Sequence, residues 1–261
     1  MKSTLSLLPR SWSREKRSAA AIALAVAGML LFLWLLAIPL SWMPDPIGPA
    51  AALFADGARL TVELTVVSGL IGIVIGFLVA LAKISRIWPL RWFAVFYIWV
   101  LRGTPLIVQL YFVCFALPDL VPQLQLSDFN SAVVALALNV GAYNAEAVRA
   151  GILAVHKGQV EAARSLGLSS WQTFAAVVFP QSFRIALPAL VNNIVSLLKD
   201  SSLASVIGVV ELMTIGSRLR AETYEPVPVL TAAAVIYLLL TTIMTQVSNA
   251  IERQLDVQNH Q

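Results

Sequence analysis

Long runs of apolar residues constrain this chain more than any single motif does. The first run covers residues 19–40 without a charged side chain, and a helix needs about 20 apolar residues to cross the hydrocarbon core of a bilayer. Only 12% of the 261 residues are charged, against about 25% in an ordinary soluble domain, which needs charge to cover its surface. The chain is therefore predicted to be an all-α integral membrane protein.

The apolar runs predict about six transmembrane helices. They cover residues 19–40, 60–84, 105–117, 131–155, 185–210 and 227–247. The proline-rich segment 41–57 is predicted to be a linker between the first two helices. An interfacial helix is predicted at 91–101, because aromatic residues cluster there and favour the membrane interface. A cleaved signal peptide is the alternative for the first run, but that run exceeds the roughly 7–15 apolar residues of a signal core.

The basic residues predict the orientation of these helices. With six spans and a cytoplasmic N-terminus, twelve Lys and Arg residues face the cytoplasm, and only Arg59, Arg218 and Arg220 face outward. Cytoplasmic loops are enriched in Lys and Arg, which disfavours the opposite orientation. Both termini and the loop 156–184 are therefore predicted to be cytoplasmic. The same distribution accounts for the net charge of +4 without a nucleic-acid partner.

Residue types needed for several other functions are scarce. Cys114 is the only cysteine, and His156 and His260 are far apart, so neither an intrachain disulfide nor a metal cluster is expected. The sequence contains no GxxxxGK[ST] phosphate-binding loop, no HExxH motif and no evident catalytic triad. Neither an enzyme nor a cofactor-binding chain is expected, and any ATP-driven motor must be a separate polypeptide.

The loop between the fourth and fifth spans has the pattern of two short helices joined by a turn. An alanine-rich stretch at 157–166 predicts the first helix, and Gly167 predicts the left-handed residue that ends it. Ser169 or Ser170 is the candidate N-cap of a second helix, which Pro180 is predicted to close. On composition alone, an amphipathic connector lying on the bilayer is the alternative.

This loop resembles the EAA loop of ABC importer permeases, whose pattern is Glu-Ala-Ala, three further residues and Gly, and later an apolar residue, any residue, Leu and Pro. The candidate coupling residues on this pattern are Glu161, Ala162, Ala163, Arg164 and Gly167. Phe179 precedes Pro180 where the family usually has Leu. In that family the loop docks into a groove on the ATPase subunit, so the resemblance implies the same role here.

Three further segments resemble the polar amino-acid uptake branch of those permeases. They are Arg102-Gly103-Thr104-Pro105 with Gln109, Gly141-Ala142-Tyr143 with Glu146, Arg149 and Gly151, and Lys199-Asp200-Ser201-Ser202-Leu203. The resemblance covers about residues 58–255 and implies a five-helix importer-permease core there. Residues 19–57 would add an N-terminal helix and an extracytoplasmic linker, between cytoplasmic tails at 1–18 and 256–261.

The resemblance implies the permease subunit of an ABC importer in a bacterial inner membrane. The partners it implies are ABC ATPase subunits, a second permease copy or paralogue, an extracytoplasmic substrate-binding protein, membrane lipid and a polar amino acid or related solute. ATP would be used by the ATPase subunit, so no cofactor is expected in this chain. An ion-coupled secondary transporter is the alternative, but it predicts an inverted repeat that is not evident and leaves the loop without a role.

Polar residues inside the predicted spans are candidates for lining a translocation pathway. They are Asn139, Tyr143, Glu146, Asn192, Lys199 and Asp200. A charge inside a span costs about 2.5–3.5 kcal/mol on insertion scales and needs a partner. Glu146 and Arg149 share one helical face, so a structural ion pair is the favoured interpretation of Glu146, and a ligand-facing role is the alternative. Lys199-Asp200 is predicted to break the fifth helix, as in helices that line pathways.

Overall fold

The computed structural model describes residues 14–259, which are helical with short connections and contain no β-strand. In chain order the α-helices are α1 (Arg14–Leu35), α2 (Ala37–Ser41), α3 (Ala51–Ile84), α4 (Trp88–Gly103), α5 (Leu106–Tyr111), α6 (Leu117–Leu120), α7 (Asp128–Ala154), α8 (Lys157–Ser165), α9 (Ser170–Thr173), α10 (Phe179–Asp200), α11 (Leu212–Thr223) and α12 (Pro226–Asn259). Most of the predicted basic tail, and the last two residues of the C-terminal tail, lie outside the described residues.

The number of membrane helices agrees with the sequence prediction. Five candidate spans are long and apolar enough to cross a bilayer: Ile22–Ser41, Ala51–Ile84, Asp128–Ala154, Ser170–Ile207 and Pro226–Ala250. A sixth is obtained if α4 and the following segment Leu106–Leu120, which meet at 110°, form one bent span. The predicted interfacial helix at 91–101 is therefore the middle of a longer helix that leads into this bend. The all-α membrane fold class is confirmed.

The linker after the first span is shorter than predicted, because α3 already begins at Ala51. Gly57, at the end of the predicted linker, lies inside α3 and faces α11. A Cβ atom at this position would lie 3.0 Å from Leu212 Cα and 3.0 Å from Ile215 Cγ1. Glycine here allows the close approach of two helices rather than a turn.

The chain forms two compact units, one made of residues 1–65 with 198–261 and the other of residues 66–197. In the first unit, the N-terminal and C-terminal helices pack on each other. The buried side chains of this core include Leu33 and Leu40 from the N-terminal segment, Phe54 from α3, and Ile236 and Leu240 from α12. The additional N-terminal helix is therefore an integral part of this unit.

The second unit is organised by close packing of α3 on α7. A Cβ atom at Gly76 would lie 2.4 Å from Asn144 Cβ, and one at Gly72 would lie 2.3 Å from Val140 Cγ1. Both glycines are buried. They allow α3 and α7 to approach closely, since a larger residue at either position would force the two helices apart.

Candidate functional site

The α8–α9 hairpin is defined by specific local hydrogen bonds. Gly167 has φ +82°, its N–H donates to the carbonyl of Arg164, and the N–H of Leu168 donates to the carbonyl of Ala163. These two bonds form a Schellman motif, which requires a left-handed residue at this position. Ser169 then caps α9 in a capping box with Gln172. The predicted end of the first helix at Gly167 is confirmed, and of the two candidate N-caps, Ser169 and Ser170, the structure uses Ser169.

Most of the candidate coupling residues are accessible on the α8–α9 hairpin. Glu161, Ala162 and Arg164 are exposed, whereas Ala163 is buried. Sequence reasoning missed two large apolar side chains beside the turn, because nothing in their neighbourhood distinguishes them from membrane-facing residues. Leu166 is 83% exposed and Trp171 is 73% exposed. The hairpin thus presents apolar and charged side chains together.

The predicted end of the second helix at Pro180 is wrong. A π-helical turn at Phe174–Val178 connects α9 to α10, and Pro180 lies in the first turn of α10. Proline has no N–H to donate and usually disrupts a helix interior. Here the N–H of the preceding Phe179 donates five residues back, to the carbonyl of Phe174, so the helix is already widened at this position and accepts the proline. The hairpin therefore continues directly into the fifth candidate span.

Glu146 on α7 lies between two basic residues. Its Oε2 accepts from Arg149 Nε at 2.9 Å and from another guanidinium nitrogen at 2.8 Å. Its Oε1 accepts from Lys83 Nζ in the last turn of α3. The predicted ion pair with Arg149 is confirmed. Lys83, which is 63 residues away in sequence, was not predicted as a partner.

A second polar group joins the bend after α4 to α7. The amide nitrogen of Asn139 donates to Gln109 Oε1 at 2.9 Å. Gln109 Nε2 in turn donates to the carbonyl of Leu101 at 2.8 Å and to Thr104 Oγ1 at 2.9 Å. Gln109 is buried, so these bonds satisfy an amide that would otherwise be unpaired in an apolar setting. Asn139 thereby fixes the geometry of the bend.

The remaining candidate pathway residues differ in their surroundings. Tyr143 is exposed, and the Arg102 guanidinium carbon lies 5.0 Å from the centre of its ring, within the range of a cation–π interaction. Asn192 is exposed. The neighbouring Asn193 is half-buried and donates to Asn144 Oδ1 at 2.9 Å, a contact that sequence reasoning did not identify.

Lys199 and Asp200 lie at the end of α10. The α-helix ends at Asp200 and a 3-10 helix, Ser201–Ile207, follows, so the predicted break at this position is confirmed. Both side chains are exposed, and neither forms an ion pair among residues 22–250, whose side chains the structure describes. Within the same residues, no three His, Cys, Asp or Glu side chains come together as metal ligands.

Glu211 forms a buried polar centre in the first unit that sequence reasoning missed. Its carboxylate accepts from the N–H groups of Met213 and Thr214 at 2.9 and 2.8 Å and from Tyr237 Oη at 2.6 Å. Burial raises the pKa of this carboxyl, although the hydrogen bonds act in the opposite direction. As the N-cap of α11, Glu211 joins that helix to Thr61 of α3 and to α12.

Replacing Tyr237 with phenylalanine is expected to lower the free energy of unfolding by about 2 kcal/mol, because it removes a hydrogen bond to a buried carboxylate. Tyr97→Phe is the matched control, since Tyr97 Oη donates at 2.6 Å to the neutral carbonyl of Leu138, and its loss is expected to cost about 1 kcal/mol. Denaturation of both variants in mixed micelles measures the difference. An equal loss of unfolding free energy in both variants would show that the hydrogen bond to Glu211 is no stronger than the one to the carbonyl of Leu138.

Residues 72–257 match the family described as the inner membrane component of binding-protein-dependent transport systems. The chain is 41% identical over 207 residues to the arginine transport system permease protein ArtQ of Bacillus subtilis (strain 168), covering 79% of this chain and 94% of ArtQ. It is 38% identical over 211 residues to the glutamine transport system permease protein GlnP of Escherichia coli (strain K12), covering 81% and 96%. A chain in the crystal structure of an amino acid ABC transporter with histidines is 38% identical, with a TM-score of 0.73 and coverage of 78% and 95%.

Proposed function

We infer, from the fact that this chain belongs to the family of inner membrane components of binding-protein-dependent transport systems, that it forms the translocation pathway of an ABC importer for a polar amino acid or a related small solute. Relatives named for arginine and glutamine transport support this substrate class. The structural observation that carries the proposal is the α8–α9 hairpin with its exposed Glu161, Leu166 and Trp171.

The α8–α9 hairpin has the properties of a docking element for another protein. Its angle is fixed by the Schellman motif at Gly167 and by the capping box of Ser169, so little conformational entropy is lost on binding. Exposed Trp171 and Leu166 supply the apolar contact area, and an aromatic anchor beside charged residues is typical of binding hot spots. We therefore propose that this hairpin binds an ABC ATPase subunit.

The proposed assembly contains two permease subunits, either two copies of this chain or this chain with a paralogue. ATPase subunits lie on the cytoplasmic side and an extracytoplasmic binding protein on the other. The excess of Lys and Arg in the loops that would be cytoplasmic supports an orientation with both termini inside. ATP is used by the ATPase subunits, and no cofactor is proposed for this chain.

The proposed mechanism depends on a contact that changes between two states. Closure of the ATPase dimer on ATP moves the α8–α9 hairpin. Because α9 continues through a π-helical turn into α10 without a loop, a displacement of the hairpin is transmitted directly to a membrane helix. The pathway is then exposed alternately to the two sides, provided that the ATPase binds the hairpin differently in its two states.

The candidate pathway residues fall into two groups, those that are exposed and those whose polar atoms are already bonded within the chain. Tyr143, Asn192, Lys199 and Asp200 are exposed, which supports contact with a solute or with a second permease subunit. Asn139 and Glu146 already use their polar atoms within the chain. For these two residues, a structural role is the stronger interpretation.

Co-purification from a mild-detergent extract tests the proposed function most directly. A tagged chain is expected to retain an ABC ATPase, and the complex is expected to transport an amino acid into proteoliposomes only with ATP and a binding protein. A chain that retains no ATPase, but transports on an ion gradient alone, would instead be a secondary transporter. The relatives do not favour this alternative.

Glu161→Ala is expected to reduce uptake about tenfold while membrane insertion stays intact. The exposed carboxylate is proposed to bond to the ATPase, and a hydrogen bond to a charged group is worth about 1.5–3 kcal/mol, or at least about tenfold in binding. Gln159→Ala is the matched control, because Gln159 is exposed on a different face of the same helix. Equal uptake by both variants, at equal amounts in the membrane, would contradict the role of Glu161.

A further inference from the structure

We propose that a groove in the first unit, between the segment 45–53 and the turn from α11 to α12, receives a basic side chain of the extracytoplasmic binding protein. The groove has a volume of about 450 Å³. Its lining includes Asp45, Pro49, Leu53, Leu219, Thr223 and Glu225. The inference rests on the proposed function, because the orientation proposed there puts both walls on the extracytoplasmic side of the membrane.

The groove is a preformed feature with a well-packed floor. Ala50 lines one wall and Ile47 lies close to it in sequence, and both are buried in the core of the first unit. Leu219 of the other wall packs against the same core. The backbone of the first wall is held by the hydrogen bond from the Ala50 N–H to the carbonyl of Ile47 and by the one from the Phe54 N–H to the carbonyl of Ala50. A partner therefore meets a surface that needs little rearrangement.

The charges of the groove indicate a cationic group in the partner. Asp45 and Glu225 are exposed, both line the groove, and its lining contains no Lys or Arg. Neither carboxylate forms an ion pair among the described residues. An arginine fits these walls best, because its aliphatic stem can lie along proline and leucine side chains while its guanidinium bonds to carboxylates.

The shape of the groove and its surroundings indicate a protein rather than a free amino acid. Sites for small ligands usually enclose most of the ligand surface, whereas the side chains of Asp45, Pro49, Leu53 and Glu225 on both sides of this groove are exposed. Directly before Glu225, Tyr224 is 88% exposed and is held at φ 59°. A left-handed conformation is unfavourable for a tyrosine, and such strain is commonly found at binding surfaces. An exposed aromatic residue beside a charged groove is typical of protein interfaces.

One wall of the groove lies outside the residues that the family description matches. The family match begins at residue 72, whereas Asp45, Pro49 and Leu53 precede it. The segment 45–53, which joins the first membrane helix to α3, therefore supplies one wall of the proposed contact surface.

The test uses the permease–ATPase complex in lipid nanodiscs and the purified binding protein of the same transport system, loaded with its amino acid. The ATPase rate is measured against binding-protein concentration. The double variant Asp45→Arg with Glu225→Arg is expected to raise the half-maximal concentration about tenfold or more, because opposing like charges in an interface costs several kcal/mol. The neutral pair Asp45→Asn with Glu225→Gln is expected to have a smaller effect in the same direction.

The matched control is Glu222→Arg, since Glu222 is exposed on α11 and does not line the groove. It is expected to change the half-maximal concentration less than about twofold, as for a charge at the rim of an interface. Equal effects of the control and the double variant, or no effect of either, would overturn the inference while the proposed function stands. A wild-type complex whose ATPase does not respond to the binding protein at all would overturn both. The basal ATPase rate without binding protein verifies that each variant complex is assembled.

Discussion

Glu146→Ala is expected to lower the free energy of unfolding by about 3 kcal/mol and to reduce the amount of folded chain in the membrane. Removing the shared carboxylate leaves Lys83 and Arg149 unpaired and close together in a partly buried site. Breaking a buried ion pair by removing one partner costs about 3–5 kcal/mol, and the residual exposure of the three side chains puts the effect at the lower end. Thermal unfolding in detergent and quantitation of inserted chain measure the change.

Two other variants separate a structural role of Glu146 from a role in the pathway. Arg149→Met leaves Lys83 and Glu146 as a balanced pair and is expected to destabilise the protein much less than Glu146→Ala. Glu63→Ala is the control for removing a glutamate from a membrane helix, because Glu63 on α3 is exposed and forms no ion pair among residues 22–250. If Glu146→Ala is as stable as the wild type but fails to transport, then Glu146 acts on the solute and the structural interpretation is wrong.

Gly167→Val is expected to reduce uptake about tenfold or more, whereas Gly167→Asn is expected to retain most of it. The position has φ +82°, and a Cβ atom added there would have no neighbouring atom within 4 Å, so only the backbone conformation opposes a larger residue. The left-handed region costs an ordinary residue about 1–2 kcal/mol, and a β-branched residue is particularly unfavourable there, whereas asparagine is tolerated. Valine would thus disrupt the Schellman motif and turn α9 away from its proposed partner.

Uptake and ATPase retention are measured together for both Gly167 variants. Because the turn lies outside the packed helices, the thermal unfolding midpoint is expected to stay close to that of the wild type. If valine and asparagine reduce uptake equally, then the side chain rather than the backbone conformation interferes with docking. If neither has an effect, the angle of the hairpin is not important for coupling.

The features that the sequence predicts correctly are those determined by neighbouring residues. The break after Asp200, the left-handed turn at Gly167 and the cap at Ser169 depend on the chemistry of a few consecutive residues. The membrane helices follow from long apolar runs for the same reason. The prediction at Pro180 is wrong because a π-helical turn, which has no clear sequence signature, accommodates the proline.

The features that were missed depend on residues that are distant in sequence. Lys83 meets Glu146 only because Gly72 and Gly76 let α3 pack closely on α7. Glu211 lies in a segment that is polar in sequence, yet α3, α11 and α12 surround it completely. No local pattern distinguishes such a buried carboxylate from one on the surface, since burial is a property of the tertiary fold.

The packing of α1 on α12 also determines the order in which the protein can be assembled. Met29 and Leu33 of α1 share a core with Ile236 and Leu240 of α12, about 200 residues later in the chain, a distance that takes roughly 10 to 40 s to translate at 5–20 residues per second. During that time the first helix is already in the bilayer with one face uncovered. The first unit therefore closes only after the last helix has been inserted, and ribosomes that stop early release chains whose first helix remains exposed to membrane chaperones and proteases.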